Sequence, residues 1–191
     1  MAPSSDFYAP LEPNLLHGAK RGESAAFEAI YRRYRRAAFN LALRVLGDPG
    51  AAEDVVQEVF VRLFDAIKGF RGEAPFGAWL RRMVSNATLD EMRRRRWWDD
   101  RVDVTETSAM TLADGRPEAQ VEAWALLMRL PPKARAVLVL HEVEGYTHKE
   151  LAEWFGLSES YSKSVLARAL KRLNRPAPEP EVEVERMYAR S

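Results

Sequence analysis

Apolar residues recur at helical spacing through most of the chain. Between residues 23 and 46, Phe27, Ile30, Tyr31, Tyr34, Ala38, Leu41, Ala42 and Val45 predict one long helix, with Arg32, Arg33, Arg35 and Arg36 on its polar side. Gly47-Asp48-Pro49-Gly50 is a strong turn signal. A second helix is predicted over 51–68, with Val55, Val56, Val59, Phe60, Leu63, Phe64 and Ile67 as its apolar residues and Gly69 and Gly72 closing it. Pro75 suits the first turn of a third helix holding Phe76, Trp79, Leu80, Met83 and Val84. Ser85, Asn86 and Thr88 compete with helical hydrogen bonding, so a break is expected before Leu89 and Met92. Four arginines at 93–96 and the pair Trp97-Trp98 follow.

Residues 99–119 then lose the periodicity and become polar and acidic, as a linker does. Two short helices are predicted over 121–130 and 133–143, separated by Pro131-Pro132. Thr147 stands three residues before Glu150, the spacing of a capping box. Gly156 stops that helix, and Ser158 can cap the next. The last helix sets Leu166, Ala169, Leu170 and Leu173 on one face and Lys163, Ser164, Arg168, Lys171 and Arg172 on the other. The pattern predicts an all-α protein of two small helical domains, 17–98 and 120–175, joined by a flexible linker over 99–119. A loose Pro- and Ser-rich arm is expected at 1–16 and a mobile acidic tail at 176–191.

Composition narrows the chemistry. The formal net charge is only +1 over 191 residues, so partners must be read from local charge. The absence of cysteine excludes disulfides and thiolate metal sites. His17, His141 and His148 have no metal-ligand spacing and read as surface or helix-end residues. No apolar run is long enough for a membrane span, and the N-terminus lacks a signal-peptide core, so a soluble cytoplasmic protein is expected. Nothing resembles a Gly-rich phosphate loop, a nucleophile–His–Asp set or a metal cluster, so neither an enzyme nor a cofactor is expected.

What stands out is suited to binding. Two short helices joined by a Gly-containing turn, the second basic, match a DNA-binding helix-turn-helix, although an ordinary hairpin with a solvated basic face has the same pattern. Glu53, Asp54 and Glu58 lie on one side of their helix with Gln57 beside them. They form either a docking surface for a basic partner or a solvated acidic face. The arginines at 93–96 can hold phosphate while Trp97 and Trp98 stack on unpaired bases; alternatively the tryptophans pack on the first helix.

Three segments, AAEDVVQEVFVRLF, FGAWLRRMVSNATLDEMRRRR and LPPKARAVLVLHEVEGYTHKELAEWFGLSESYSKSVLARALKRL, occur in an order that resembles the extracytoplasmic-function group of bacterial sigma factors. The resemblance implies that 17–98 is sigma region 2 and 120–175 is sigma region 4, and that the protein carries RNA polymerase to a promoter. It implies that Asp54, Gln57, Glu58 and Val61 dock on the clamp helices of the largest polymerase subunit. It assigns −10 recognition and melting to the segment with Asn86, Asp90, Arg93 and Arg94. The −35 element would be read by Ser160, Tyr161, Lys163, Ser164, Ala167 and Arg168. The linker acids Asp99, Asp100, Asp103, Glu106 and Asp114 would lie in a basic polymerase channel, and control by an anti-sigma partner is implied by analogy. Ser160-Tyr161-Ser162 departs from the family's usual Gly-Thr-Val type triplet, with Ser162 at a normally apolar position. An autonomous helix-turn-helix regulator is the alternative, distinguished by having no use for the Asp54/Gln57/Glu58 surface; a purely protein-binding scaffold would have no use for the basic helix.

Overall fold

The structure is a computed structural model that describes residues 7–8, 10–95 and 118–174. Eight α-helices carry the fold, and no strand occurs among the described residues. Helices α1 (Pro13–Lys20), α2 (Ser24–Leu46), α3 (Pro49–Ala66) and α4 (Phe76–Arg94) form the first bundle, with a 3₁₀ turn, Ile67–Gly69, after α3. Helices α5 (Glu118–Met128), α6 (Pro132–Leu138), α7 (His148–Phe155) and α8 (Glu159–Leu173) form the second, and α6 runs into a π turn, Val139–Val143.

Helix α2 is the axis of the first bundle because it is apolar on more than one side. Ile30, Tyr34, Ala38, Leu41, Ala42 and Val45 are almost fully buried, and α1, α3 and α4 all pack on it. It ends where Gly47 takes φ 74°, a left-handed conformation that glycine adopts without steric cost. Asp48 then caps α3, its Oδ1 accepting from Ala51 N at 3.0 Å.

Two expectations need correction. The segment expected as a loose arm contributes to the core: Phe7 is 1% exposed and stacks on Tyr34 with ring centroids 6.2 Å apart, and α1 begins at Pro13. A single aromatic in a Pro-rich stretch has no periodicity to announce it. Gly77 makes room for it, since a Cβ there would stand 1.7 Å from the Phe7 carbonyl oxygen. Gly77→Ala is therefore expected to expel Phe7. Loss of its burial, less the gain from alanine's helix propensity, gives a net cost of about 1–2 kcal/mol. Denaturant titration measures it, and deleting residues 1–8 in the Gly77→Ala background should cost nothing further.

The second correction concerns α4, which is continuous where a break was expected. Tertiary contacts outweigh the unfavourable residues. Thr88 Oγ1 donates to Val84 O at 2.7 Å, and the buried Ser85 Oγ lies 3.2 Å from Tyr146 Oη in the second bundle.

The two bundles are packed together, rather than held only by a linker. Helix α6 lies on α2, and Arg135, 3% exposed, donates from Nε to Val45 O at 2.9 Å and from Nη2 to Leu46 O at 2.7 Å. These are carbonyls of the last turn of α2, the negative end of its dipole. Arg81 donates to Glu144 O and lies 4.7 Å from the Tyr146 ring centre. Tyr146 is buried, which raises its pKa.

Candidate functional site

On α3 the helical period puts Val55, Val59 and Leu63 inward and leaves Glu53, Asp54, Gln57 and Val61 outward, Val61 at 67% exposure. Glu58 is half-buried and ion-paired with Arg62 at 2.5 Å and with Arg94 at 3.0 Å. Beside this strip lies a groove of ≈ 880 Å³ between α2 and α3. Phe27, Tyr31, Phe39, Phe60, Val61 and Phe64 form its apolar wall, and Arg35, Glu53, Gln57 and Asp65 stand among its lining residues. Its aromatic rings meet edge to face, Phe27 with Phe64 at 5.4 Å and Tyr31 with Phe60 at 4.9 Å. Sequence reasoning found the acids but not this groove. Phe64 counts in the periodicity as a core residue, yet it is 43% exposed.

On α4, Arg82, Asn86, Asp90 and Arg93 are all exposed, at spacings of three and four that place them along one face. Arg93 reaches Asp90 at 2.7 Å and also donates to the carbonyl of Trp154 on α7. Arg82 lies 5.8 Å from the Trp154 ring centre. The candidate −10 face thus abuts the second bundle. Arg94 turns the other way, toward Glu58 and Glu91, the latter at 2.7 Å. The two arginines expected to act together are therefore on different sides of the helix. Arg96, Trp97, Trp98 and the linker acids lie outside the described residues, as does the tail from residue 175.

The helix-turn-helix has the expected construction. Thr147 and Glu150 form a reciprocal capping box. The hydrogen bond from the Thr147 backbone N–H holds the Glu150 carboxyl below the usual range. Gly156 takes φ 62°, and Ser158 Oγ accepts from Tyr161 N at 3.1 Å to open α8. On α8, Ser160, Lys163, Ser164, Ala167 and Arg168 are exposed, away from the buried Val165, Leu166 and Ala169. Leu170, expected to be buried, is 42% exposed.

The unusual triplet has a physical explanation. Ser162 is fully buried, with its hydroxyl 3.0 Å from His148 Nδ1, so the interior position keeps a satisfied polar group. His148 stacks on His141 with ring centroids 4.1 Å apart, and His141 Nδ1 donates to Tyr146 O at 2.7 Å. Both rings are half-buried connectors of α7, α8 and the π turn rather than simple surface residues. Burial first, then the neighbouring His141, lowers the pKa of His148. Tyr161 is flanked by Lys133 at 5.5 Å and Arg168 at 5.9 Å from its ring centre. Ser164 Oγ donates to Ser160 O at 2.9 Å, which leaves Lys163 as the more available long polar side chain in the first half of α8.

Both bundles are similar to known proteins. Residues 30–98 match the family model for sigma-70 region 2, and residues 120–173 match that for sigma-70 region 4. The ECF RNA polymerase sigma factor SigM of Mycobacterium tuberculosis is 30% identical over 86% of this chain and 83% of its own. SigW of Bacillus subtilis, another ECF RNA polymerase sigma factor, is 30% identical over 82% of this chain and 91% of its own. The fold is also that of the sigma factor RpoE in its complex with the anti-sigma factor NepR from Bartonella quintana. That likeness has a TM-score of 0.54 at 22% identity over 77% of this chain and 93% of that one. No helix of the described residues is long and apolar enough to cross a membrane.

Proposed function

The chain belongs to the extracytoplasmic-function group of RNA polymerase sigma factors, and from that premise we propose how its surfaces divide the work. The outward strip of α3, Asp54, Gln57, Glu58 and Val61, docks on the clamp helices of the largest polymerase subunit, with the adjoining aromatic groove receiving apolar side chains of the same partner. The face of α4 with Asn86, Asp90 and Arg93 meets the −10 element, and Arg94 joins from the other side of the helix. The exposed face of α8 meets the −35 element in the major groove, Lys163 toward base edges and Arg168 toward phosphate. The protein acts by binding: duplex contacts at one end position it, and capture of unstacked bases at the other favours melted DNA.

The observation that carries the docking role is the α3 strip itself, an acidic and apolar surface next to a groove that the described residues leave open. An autonomous DNA-binding regulator has no use for it. A regulator of the anti-sigma class would act by covering these same faces.

One feature of the fold bears on access. Arg82 and Arg93 are engaged by Trp154, so the −10 face is approached fully only when the second bundle moves away. Weak DNA binding by the free chain is therefore expected, with a steric cause as well as an entropic one.

Charge reversal at Asp54 tests the docking role. Its side chain is 73% exposed and its pairing with Arg95 is long, at 4.0 Å, so Asp54→Arg is expected to cost the fold at most about 1 kcal/mol while weakening association with core polymerase by more than roughly tenfold, through like-charge contact. Co-purification and competition with labelled wild-type protein measure it, and undiminished binding removes the assignment. Glu58→Arg is a poorer test, because it would place a third positive charge against Arg62 and Arg94 within the fold.

A further inference from the structure

The acids of α3 and the arginines at the end of α4 form one ion-pair ladder. Glu58 Oε2 stands 3.0 Å from Arg94 Nη2, and Asp54 Oδ2 stands 4.0 Å from Arg95 Nη2. Glu91 binds both arginines from α4 itself, Arg94 at 2.7 Å and Arg95 through Nε, while Asp48 holds Arg95 at 3.1 Å. Burial separates the acids into two kinds. The Glu91 side chain is only 10% exposed, with Oε2 taken by Arg94 and Oε1 by Arg95. Those of Glu58 and Asp54 are 28% and 73% exposed, on the strip assigned to docking.

We propose that Glu58 and Asp54 couple polymerase docking to nucleic-acid binding by exchanging ion-pair partners. In the free chain they neutralise Arg94 and Arg95. A basic protein surface arriving on α3 competes for the same carboxylate oxygens and releases Arg94 toward DNA phosphates, while Asp48 and Glu91 continue to hold Arg95. Glu91 stays with both guanidinium groups throughout and is a positioning residue that keeps them at the end of α4. The inference rests on the reading of α3 as the docking face.

The physical basis is that each exposed pair is weak and therefore exchangeable. Pairs of this kind are worth a factor of roughly two to five in an equilibrium constant, small enough for a preorganised basic partner to displace. Arginine freed from a carboxylate gains a phosphate contact and releases a counterion, so the effect must show in salt dependence as well as in affinity. Coupling is reciprocal: whatever docking does for DNA binding, DNA binding does for docking.

The test uses the full chain and a short labelled single-stranded DNA, with binding followed by fluorescence anisotropy at several salt concentrations. Glu58→Gln removes one charge with little change of shape. It is expected to tighten oligonucleotide binding by roughly two- to fivefold and to steepen the salt slope by about 0.7. In an Arg94→Gln background the same substitution is expected to change nothing, which separates release of Arg94 from a general change in net charge. Saturating oligonucleotide is expected to raise the wild-type chain's affinity for core polymerase by the same factor, and Arg94→Gln to abolish that rise. Thermal melts establish that each variant is folded.

Unchanged oligonucleotide affinity in Glu58→Gln, or a gain that survives in the Arg94→Gln background, overturns the coupling. If polymerase affinity of Glu58→Gln falls without any gain for DNA, the docking role stands and the coupling fails. If DNA affinity rises while polymerase affinity is intact, Glu58 is not a docking residue, and the proposed exchange fails with that assignment.

Discussion

Replacing Arg135 with alanine is expected to loosen the second bundle from the first, at a cost of about 3 kcal/mol. The residue is 3% exposed, and its guanidinium bridges α6 to the last turn of α2 through Val45 O and Leu46 O. It bonds carbonyls rather than a carboxylate, and burial lowers its pKa to about 10, so it is charged at neutral pH. Alanine would leave a cavity and remove the donors that Val45 O and Leu46 O now have from Arg135. Arg135→Lys should recover little, because one ammonium cannot reproduce the forked pair of bonds. Small-angle scattering should show a larger radius of gyration, and the melt should broaden or split as the halves lose their coupling. An unchanged profile and melt would mean that the packing of α6 on α2 does not depend on this residue. The variant should also expose the −10 face by freeing Trp154 from Arg93, so single-stranded DNA binding by the free chain should rise while stability falls.

The second large effect is on promoter choice. Lys163→Ala should change which −35 sequences are used, with a loss of about 1–3 kcal/mol confined to one base position. Arg168→Ala should lower activity on all −35 sequences alike. Arg168 lies against Tyr161 and bonds Ser164 O at 3.3 Å, at the edge of the reading face. Transcription from a library of −35 variants separates the two patterns; equal losses from Lys163→Ala at every sequence would make it a phosphate contact. Ser164 is expected to matter less than its position suggests, because its hydroxyl is already used within α8.

These expectations differ in how far they could be read from the chain alone. Helices α2, α3 and α8 begin and end close to where apolar period, turn signals and caps place them, because those signals act within a few residues. The capping box at Thr147 and Glu150 is of the same kind. The break expected at Ser85 to Thr88 is absent because Tyr146, far along the chain, receives Ser85, and local propensity has no knowledge of that partner. Phe7 and the aromatic groove carry no local signal, for related reasons. One aromatic residue has no period, and a periodic aromatic reads as core whether or not a neighbour covers it.

Residue types, spacing and motif order were thus enough to set helices α2, α3 and α8, the helix-turn-helix and the sigma-factor family, since each depends on short-range chemistry. Tertiary structure decided the partners of the long charged side chains. Arg94 is equally able to meet solvent, phosphate or carboxylate, and only the packing of α3 against α4 brings Glu58 within 3.0 Å of it. Arg135 likewise reads as one more surface arginine until α6 lands on the end of α2, ninety residues earlier, and closes off the water. A flexible cation takes its role from whichever group the fold sets beside it, and that group lies beyond the reach of any local pattern.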